Sequence, residues 1–459
     1  VAARRAGESL LNSRSRGLAV ALVLSVTLVA FETTAVITAL PTISDELNGD
    51  SLYGATLAAY LLANLVALVA VAEIIDRRGP RLPFVICVAT FVVGLVVAAL
   101  APAMWVVVVG RVIQGAGAGG FAPISYVVVR RAFPEDRQAV MYAFLSAGWV
   151  LPSLLAPGLS GVITEGVGWR WVFLGIVPLA IVVGAFAAIA MRHVPPPPPA
   201  PRAPTRLPTA VRLSIGVGAA VTGLQAAHPL VFAVLTMGGV VLAAPALRLL
   251  MPVGLMRASA GLPAVLVCRM LATMTFLGVD SFVPLAADRI HDVSPAAQGF
   301  TIIGAALTWS IGQAIAAKHP HWRPEAATRW GFVLLVIGVV TVAPVLVASW
   351  PLQATFLAWC IGGLGMGILF NPTSVAAMTY ADDGKEGLVS SQIHLADNLG
   401  FAVMGGIGGA TVAVADRTDV ALTSALAVNF ALAAACAVIG VIVSRGVRAR
   451  LTPPAVVPV

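Results

Sequence analysis

Gly110-Arg111-Val112-Ile113-Gln114-Gly115-Ala116-Gly117-Ala118-Gly119-Gly120 is a close-packing sequence with a charge set into it. It lies within the apolar run 104–129, entered through Met104-Trp105-Val106-Val107-Val108-Val109 and left through Phe121-Ala122-Pro123-Ile124. An arginine inside a membrane span costs about 3 kcal/mol or more, so Arg111 must face a partner or a wet cavity. The glycines let neighbouring backbones approach closely. A helix-packing seam with an incidental arginine is the plain alternative.

The chain around this run is of the same kind. Of 459 residues, 59% are hydrophobic and only 10% charged, and the mean hydropathy is +0.96. A soluble domain carries about 25% charged residues, because its surface must face water. Many apolar runs here reach the roughly 20 residues that cross a hydrocarbon core of ~30 Å. Lipid offers a bare backbone amide no partner, so these runs are helices. Fourteen spans are predicted: 17–40, 52–74, 82–101, 104–129, 138–163, 171–191, 211–227, 230–250, 260–287, 296–317, 329–349, 352–380, 388–414 and 420–445. Only the turn around His228 and Pro229 separates 211–227 from 230–250, and a single re-entrant hairpin is the alternative there. The first run is expected to be a span and not a cleavable signal peptide. It is too long, holds Glu32 and has no small-residue cleavage site before the next span.

The net charge of +8 reads as topology. With the N-terminus in the cytoplasm and sides alternating, 23 of the 28 basic residues fall on the cytoplasmic side. Three fall outside (Arg170, Arg289, Arg417) and two within spans (Arg111, Arg269). That is the positive-inside pattern. Arg445, Arg448 and Arg450 keep the C-terminus inside, as an even number of helices requires. The expected place is the cytoplasmic (inner) membrane, multi-pass, with both termini cytoplasmic and no nucleic-acid partner. The run Pro195–Pro199, followed by Pro201, Pro204 and Pro208, makes 192–210 a semi-rigid cytoplasmic linker. A docking motif for a proline-binding partner is its alternative.

An internal repeat divides the chain. An offset of 248 residues carries Glu32 onto Asp280, Gly115, Gly117 and Gly119 onto Gly363, Gly365 and Gly367, and Gly158 and Gly161 onto Gly406 and Gly409. Pro123 and Ser125 meet Pro372 and Ser374 with one inserted residue. The organisation expected from this is an N-terminal six-helix bundle (1–191), the linker (192–210), two inserted helices (211–250) and a C-terminal six-helix bundle (251–459).

Four further stretches bear on function. After the second span comes Ala72-Glu73-Ile74-Ile75-Asp76-Arg77-Arg78-Gly79-Pro80-Arg81. The fifth span holds Gly148, Pro157, Gly158 and Gly161, which a merely kinked and packed helix would also explain. The first span ends Glu32-Thr33-Thr34-Ala35-Val36-Ile37-Thr38-Ala39-Leu40-Pro41, and the sixth opens Trp169-Arg170-Trp171-Val172-Phe173. The tryptophans there are expected to be interfacial anchors.

Together these stretches resemble the major facilitator superfamily, and within it the fourteen-helix drug:proton antiporters of bacteria. The fourth span matches that family's helix 4 signature at Arg111, Gln114, Gly115 and Gly117. The loop at 72–81 resembles the family's loop between helices 2 and 3, with Ala72 standing where glycine is usual and Pro80 where a basic residue is usual. The resemblance implies an all-α membrane protein with the major facilitator fold: two six-helix bundles plus two inserted transmembrane helices, fourteen spans in all. It also implies gating and packing roles for Asp76, Arg77, Gly79, Arg81, Gly115, Gly117, Pro157 and Gly161. Asp76 at its helix end would pair with an arginine and hold the cytoplasmic side closed. The bias to arginine over lysine, with abundant Ala, Val and Gly, points to a GC-rich, actinobacterial kind of genome.

Three acids lie within spans: Glu32, Asp280 and Asp397. Burial penalises the charged form of an unpaired carboxylate, which can then bind and release protons near neutral pH. All three are proton-coupling candidates, Glu32 and Asp280 ahead of Asp397, for which packing or interdomain bonding is favoured. A structural ion pair, such as Asp280 with Arg269, is the alternative. Glu32, Arg111, Gln114 and Asp280 are the candidate substrate-cavity residues. The expected activity is proton-coupled export of amphipathic drug-like molecules by alternating access, with two bundles rocking about a central site. Export of a lipid or an endogenous metabolite is the runner-up, and a membrane enzyme or receptor the reading from another class. The chain shows no Gly-x-Ser-x-Gly, His-Glu-x-x-His or Walker loop. Its cysteines, Cys87, Cys268, Cys360 and Cys436, lie singly in apolar runs. No catalytic residue, metal or cofactor is therefore expected. The expected partners are a small-molecule substrate, protons and membrane lipids, and the expected state is a monomer.

Overall fold

The computed structural model describes residues 13–49, 52–198, 205–293 and 295–450. Pro199, Pro201 and Pro204 of the linker, and Arg4, Arg5 and Arg202 of the basic residues counted above, lie outside them. Among the described residues fourteen helices are long and apolar enough to cross a bilayer. They are α1 (Ser15–Glu46), α2 (Tyr53–Arg78), α3 (Arg81–Ala99), α4 (Met104–Ala132), α5 (Glu135–Gly166), α6 (Arg170–His193) and α7 (Leu207–Leu224). The others are α8 (Pro229–Leu250), α9 (Leu262–His291), α10 (Ala297–Lys318), α11 (Pro324–Leu346), α12 (Leu352–Met378), α13 (Glu386–Arg417) and α14 (Leu422–Gly446). Each coincides with one predicted run. α7 and α8 are two separate helices of 18 and 22 residues, roughly 27 and 33 Å at 1.5 Å per residue. His228 caps the start of the second: its Nδ1 accepts from the Leu230 amide at 3.2 Å, and Pro229 opens that helix.

The chain forms two compact units. The first comprises Val1–Pro208 and Glu386–Ser391, the opening turns of α13; the second comprises Thr209–Lys385 and Gln392–Val459. In the first, α4 packs between α2 and α3. Gly115 and Gly119 face α2, where an added Cβ would lie 2.2 Å from the Tyr60 carbonyl oxygen and 2.6 Å from that of Asn64. Gly117 faces α3, 2.5 Å from the Phe91 nitrogen. In the second unit α12 repeats the arrangement. Gly363 and Gly367 face α10, each 2.1 Å from a carbonyl oxygen (Ala305 and Trp309), while Gly365 faces α11 at 2.6 Å from Gly331 O. The offset of 248 residues is therefore a repeat of contacts as well as of letters.

The fifth span departs from the expected packing role. On α5 the helix is interrupted at Gly148 and Trp149, while Pro157 lies inside the continuous stretch Val150–Gly166. A Cβ on Gly158 or Gly161 would meet nothing within 4 Å. The close approach to α1 comes instead from Gly148, where an added Cβ would lie 3.0 Å from Thr27 Oγ1, and from Ser160, whose hydroxyl donates to Ala35 O at 2.7 Å. The repeat mates Gly406 and Gly409 do have a neighbour. Val221 of α7 and Gln225 just beyond its end come within 3.2 and 3.0 Å of the Cβ positions. The α7–α8 pair is tied to α13 at both ends, by Gln392 Nε2 donating to Leu250 O (2.8 Å) and by Arg417 Nη2 donating to Gln225 O (3.0 Å).

This contrast gives a stability prediction. Gly363→Ala forces a methyl against a backbone carbonyl and should cost about 1–3 kcal/mol, as overpacking does. Gly161→Ala meets open space and replaces a poor helix former, so it should be neutral or slightly stabilising. Thermal unfolding of the two variants in detergent checks the pair; equal melting points would refute the packing assignment.

Candidate functional site

In the first unit Arg111 and Gln114, one helical turn apart on α4, share a face directed at Glu32 on α1. Arg111 is 1% exposed and Glu32 0%. Arg111 Nη1 donates to Glu32 Oε1 at 2.5 Å and to Gln114 Oε1 at 2.8 Å. Its guanidinium lies over the Tyr60 ring, 4.1 Å from the centroid, and the Tyr60 hydroxyl is 3.3 Å from Thr33 Oγ1. Two charges leave water only when each satisfies the other and the remaining donors and acceptors are met. Here they are not all met. Glu32 Oε2, Arg111 Nε and Gln114 Nε2 are buried without a hydrogen-bond partner among the described residues. One acceptor and two donors are thus available to the polar part of a ligand.

In the second unit the arginine goes to a different acid from the one suggested by its proximity in the chain. Arg269 holds Asp397 through two bonds, Nε to Oδ1 at 2.9 Å and Nη2 to Oδ2. Its Nη1 donates to Ser374 Oγ at 2.9 Å and Phe370 O at 3.1 Å, and the guanidinium lies over the Phe370 ring. This corrects the alternative in which Arg269 neutralised Asp280. Asp280 instead accepts from the indole Nε1 of Trp359 at 2.8 Å. No basic side chain forms an ion pair with it among the described residues. Trp359 stacks on Phe276, with centroids 5.1 Å apart, and Phe276 meets the edge of Trp309 at 5.0 Å.

The loop after α2 also differs in detail. Among the described residues Asp76 forms no ion pair with an arginine: Oδ1 accepts from the Gly387 amide at 2.7 Å and Oδ2 from the Leu388 amide at 3.0 Å. These are free amides of a helix start, where a carboxylate also meets the positive end of the dipole. The glycine that allows close approach is Gly387, since a Cβ there would lie 2.6 Å from Ala72 O. The family's usual glycine at position 72 is thus matched by one across the contact. Arg131 fixes the same turn through a bidentate pair with Glu386, at 3.1 and 2.7 Å. Gly79 has φ +78°, which suits glycine, and ends α2 beside Pro197. Arg81 donates to Ala188 O at 3.1 Å, and Arg77 stands 3.9 Å from Glu73.

Two peripheral points complete the placement. Trp169 is 1% exposed and donates to Glu46 Oε2 at 2.8 Å, so it is a buried, bonded residue and not an interfacial anchor; Trp171 is the exposed one. In the loop before α13, the Arg450 guanidinium 2.7 Å from Asp382 holds that exposed carboxyl below its ordinary value.

Sequence reasoning missed Tyr60, Trp359, Arg131, Glu386 and Gly387. A signal existed for one of them: 111 and 359 differ by 248, so the repeat that pairs Glu32 with Asp280 also pairs Arg111 with Trp359.

The model of the Major Facilitator Superfamily matches residues 22–405. A probable multidrug-efflux transporter of Mycobacterium tuberculosis is 28% identical over 453 residues, 93% of this chain and 94% of that one. The drug efflux pump JefA of the same organism is 26% identical over 363 residues, 75% of this chain and 69% of that one. Among solved structures, the human organic anion transporter MFSD10 superposes with a TM-score of 0.72 at 13% identity, covering 95% of this chain and 100% of that one. The proton:xylose symporter XylE does so with 0.65 at 13% identity, covering 93% and 94%. At such identities the structures speak for the fold, and the family model together with the efflux relatives speaks for the rest: this chain belongs to the Major Facilitator Superfamily and is a membrane transporter, not an enzyme.

Proposed function

We propose that this transporter exports amphipathic, drug-like small molecules in exchange for protons, by alternating access, from a cell whose cytoplasm holds both termini. The export reading is supported by multidrug-efflux relatives aligned over 93% of the chain. The observation that carries proton coupling is the contrast among the three intramembrane acids. Glu32 and Asp397 each have an arginine on their carboxylate, whereas Asp280 has an indole N–H. A neutral donor stabilises a carboxylate without fixing its charge, so Asp280 is the acid best able to alternate between protonated and ionised forms. Glu32 and Asp397 hold their units together, and Glu32, Arg111 and Gln114 contribute polar contacts to the cargo.

The driving force suffices. One inward proton supplies about 2.3 kcal/mol per 100 mV, and each pH unit adds about 1.4 kcal/mol. Purified protein in proteoliposomes, offered a panel of amphipathic compounds, should accumulate them against their gradient only when a pH gradient is imposed. Equal transport with and without the gradient would overturn the coupling. Transport of phospholipid alone, with the panel ignored, would favour a lipid exporter.

A further inference from the structure

We propose that the first unit carries a site for one anionic phospholipid, its acyl chain in the groove between α3 and α6 and its phosphate on Arg81 and Arg192. On the topology proposed above the lipid belongs to the cytoplasmic leaflet. The site depends on neither the cargo nor its coupling to protons.

Two contacts fix how the helices meet. Arg81 Nε donates to Ala188 O at 3.1 Å, and a Cβ on Gly184 would lie 2.6 Å from Val88 Cγ1. The numbering rises along α3 as it falls along α6, so the helices are antiparallel, and Gly184 lets them touch. Beside that seam runs a groove of about 260 Å³, bounded by Val85, Ala89 and Val92 on α3 and by Ile181, Ala185 and Ala188 on α6. On each helix these residues recur at spacings of three and four, so each set is one face. The three alanines leave the trough, which larger side chains would fill. Val85 and Ile181 are 45% and 52% exposed, so the groove is open along its side. Its walls are aliphatic and offer no hydrogen-bonding side chain, which suits a hydrocarbon chain.

The depth of the groove and its charged end identify the occupant. Val92 stands 11 residues beyond Arg81, about 16 Å of helix, close to half of a hydrocarbon core of ~30 Å. The groove therefore has the depth of one leaflet. At its outer end Arg81 opens α3, and Arg192 stands four residues past Ala188, near the end of α6. Both arginines are exposed, and neither has a carboxylate partner among the described residues. The acids of the adjoining loop are engaged elsewhere, Glu73 by Thr205 at 3.0 Å and Asp76 by the amides of Gly387 and Leu388. Arg81 uses one donor on Ala188 O and keeps the others, and a guanidinium takes a phosphate through paired N–H bonds. Basic residues at the cytoplasmic mouth of a cleft between membrane helices attract anionic headgroups. The ligand class is thus a diacyl glycerophospholipid with net negative charge.

Native mass spectrometry of the full-length protein counts the lipids it retains when dioleoylphosphatidylglycerol or dioleoylphosphatidylcholine is added in detergent. Wild type should hold one phosphatidylglycerol about thirtyfold more tightly than phosphatidylcholine, at roughly fivefold per arginine. Arg81→Gln combined with Arg192→Gln should erase that preference and leave phosphatidylcholine unchanged. Ala185→Phe, at an exposed position where bulk disturbs no packing, should weaken both lipids by filling the trough. Glycerol 3-phosphate, a head without chains, should not compete. Equal retention of the two lipids by wild type overturns the proposal without recourse to a variant that fails to fold. Unaltered phosphatidylglycerol binding in the arginine variant or in Ala185→Phe overturns it too. Competition by glycerol 3-phosphate would make the arginines a site for soluble anions and likewise overturn it. Because no transport is measured, an intact lipid preference alongside absent gradient-driven export would sink the export reading and leave this site standing.

Discussion

Arg111→Ala should abolish transport and destabilise the protein by about 3–5 kcal/mol, the penalty for stranding one charge of a buried pair. Glu32 is 0% exposed and takes its recorded hydrogen bond from Arg111, and Gln114 Oε1 accepts from the same nitrogen. Removing the guanidinium also uncovers the Tyr60 face on which it lies. Arg111→Lys tests charge apart from shape. A lysine keeps the cation, but an ammonium on a flexible stem loses the planar fork and the fit over the ring. The lysine variant should fold near the wild-type melting temperature yet transport slowly. Thermal unfolding in detergent and flux in proteoliposomes, at equal expression, read the two effects separately. Full activity in the alanine variant would reduce Arg111 to an incidental residue.

Asp280→Asn should fold, because Trp359 Nε1 can donate to the amide oxygen as it does to the carboxylate. It should nevertheless lose uphill export. Asparagine copies the protonated form, so the cycle retains a neutral side chain that never releases a proton. With one proton exchanged per cargo, a gradient of one pH unit drives about tenfold accumulation. In the variant that accumulation should fall to equality across the membrane while downhill exchange continues. An uncharged cargo from the panel keeps the membrane potential from acting on the cargo itself. If Asp280→Asn still concentrates cargo as wild type does, the proton travels on another acid, and Glu32→Gln and Asp397→Asn become the next variants to measure.

The fold was legible because its signals are local. Length and hydropathy identify a span from one window of sequence, and small residues recurring at 115, 117 and 119 mark a helix that others can approach. Arg111, Gln114 and Glu32 were legible for an allied reason, since polar groups in lipid are conspicuous. Their pairings were less so. Arg269 lies 11 residues from Asp280 in the chain, yet bonds to Asp397 on another helix, because cross-helix neighbours follow from packing and not from separation along the chain. Asp76 was assigned a side-chain partner because side chains are what a sequence displays; its real partners are backbone amides, which every residue but proline carries. Gly158 and Gly161 show the opposite error. The same letters pack closely on α13 and face open space on α5, and the difference lies in which helix stands opposite.

The attachment of α7 and α8 to α13 bears on how such a chain can gain or lose helices over evolution. Glycines at 406 and 409 leave notches shaped for Val221 and Gln225, and Gln392 and Arg417 each place a donor on a carbonyl of the pair. A twelve-helix descendant formed by excising 211–250 would inherit two empty notches, one buried donor on Gln392 without its carbonyl and one exposed donor on Arg417 without its own. Its viability would depend on compensating changes at four positions of a helix more than 100 residues away from the deletion. An ancestor acquiring the pair would need the same positions prepared in advance. The α7–α8 pair and α13 therefore form one packing unit, and any rearrangement that removes the pair must also change α13.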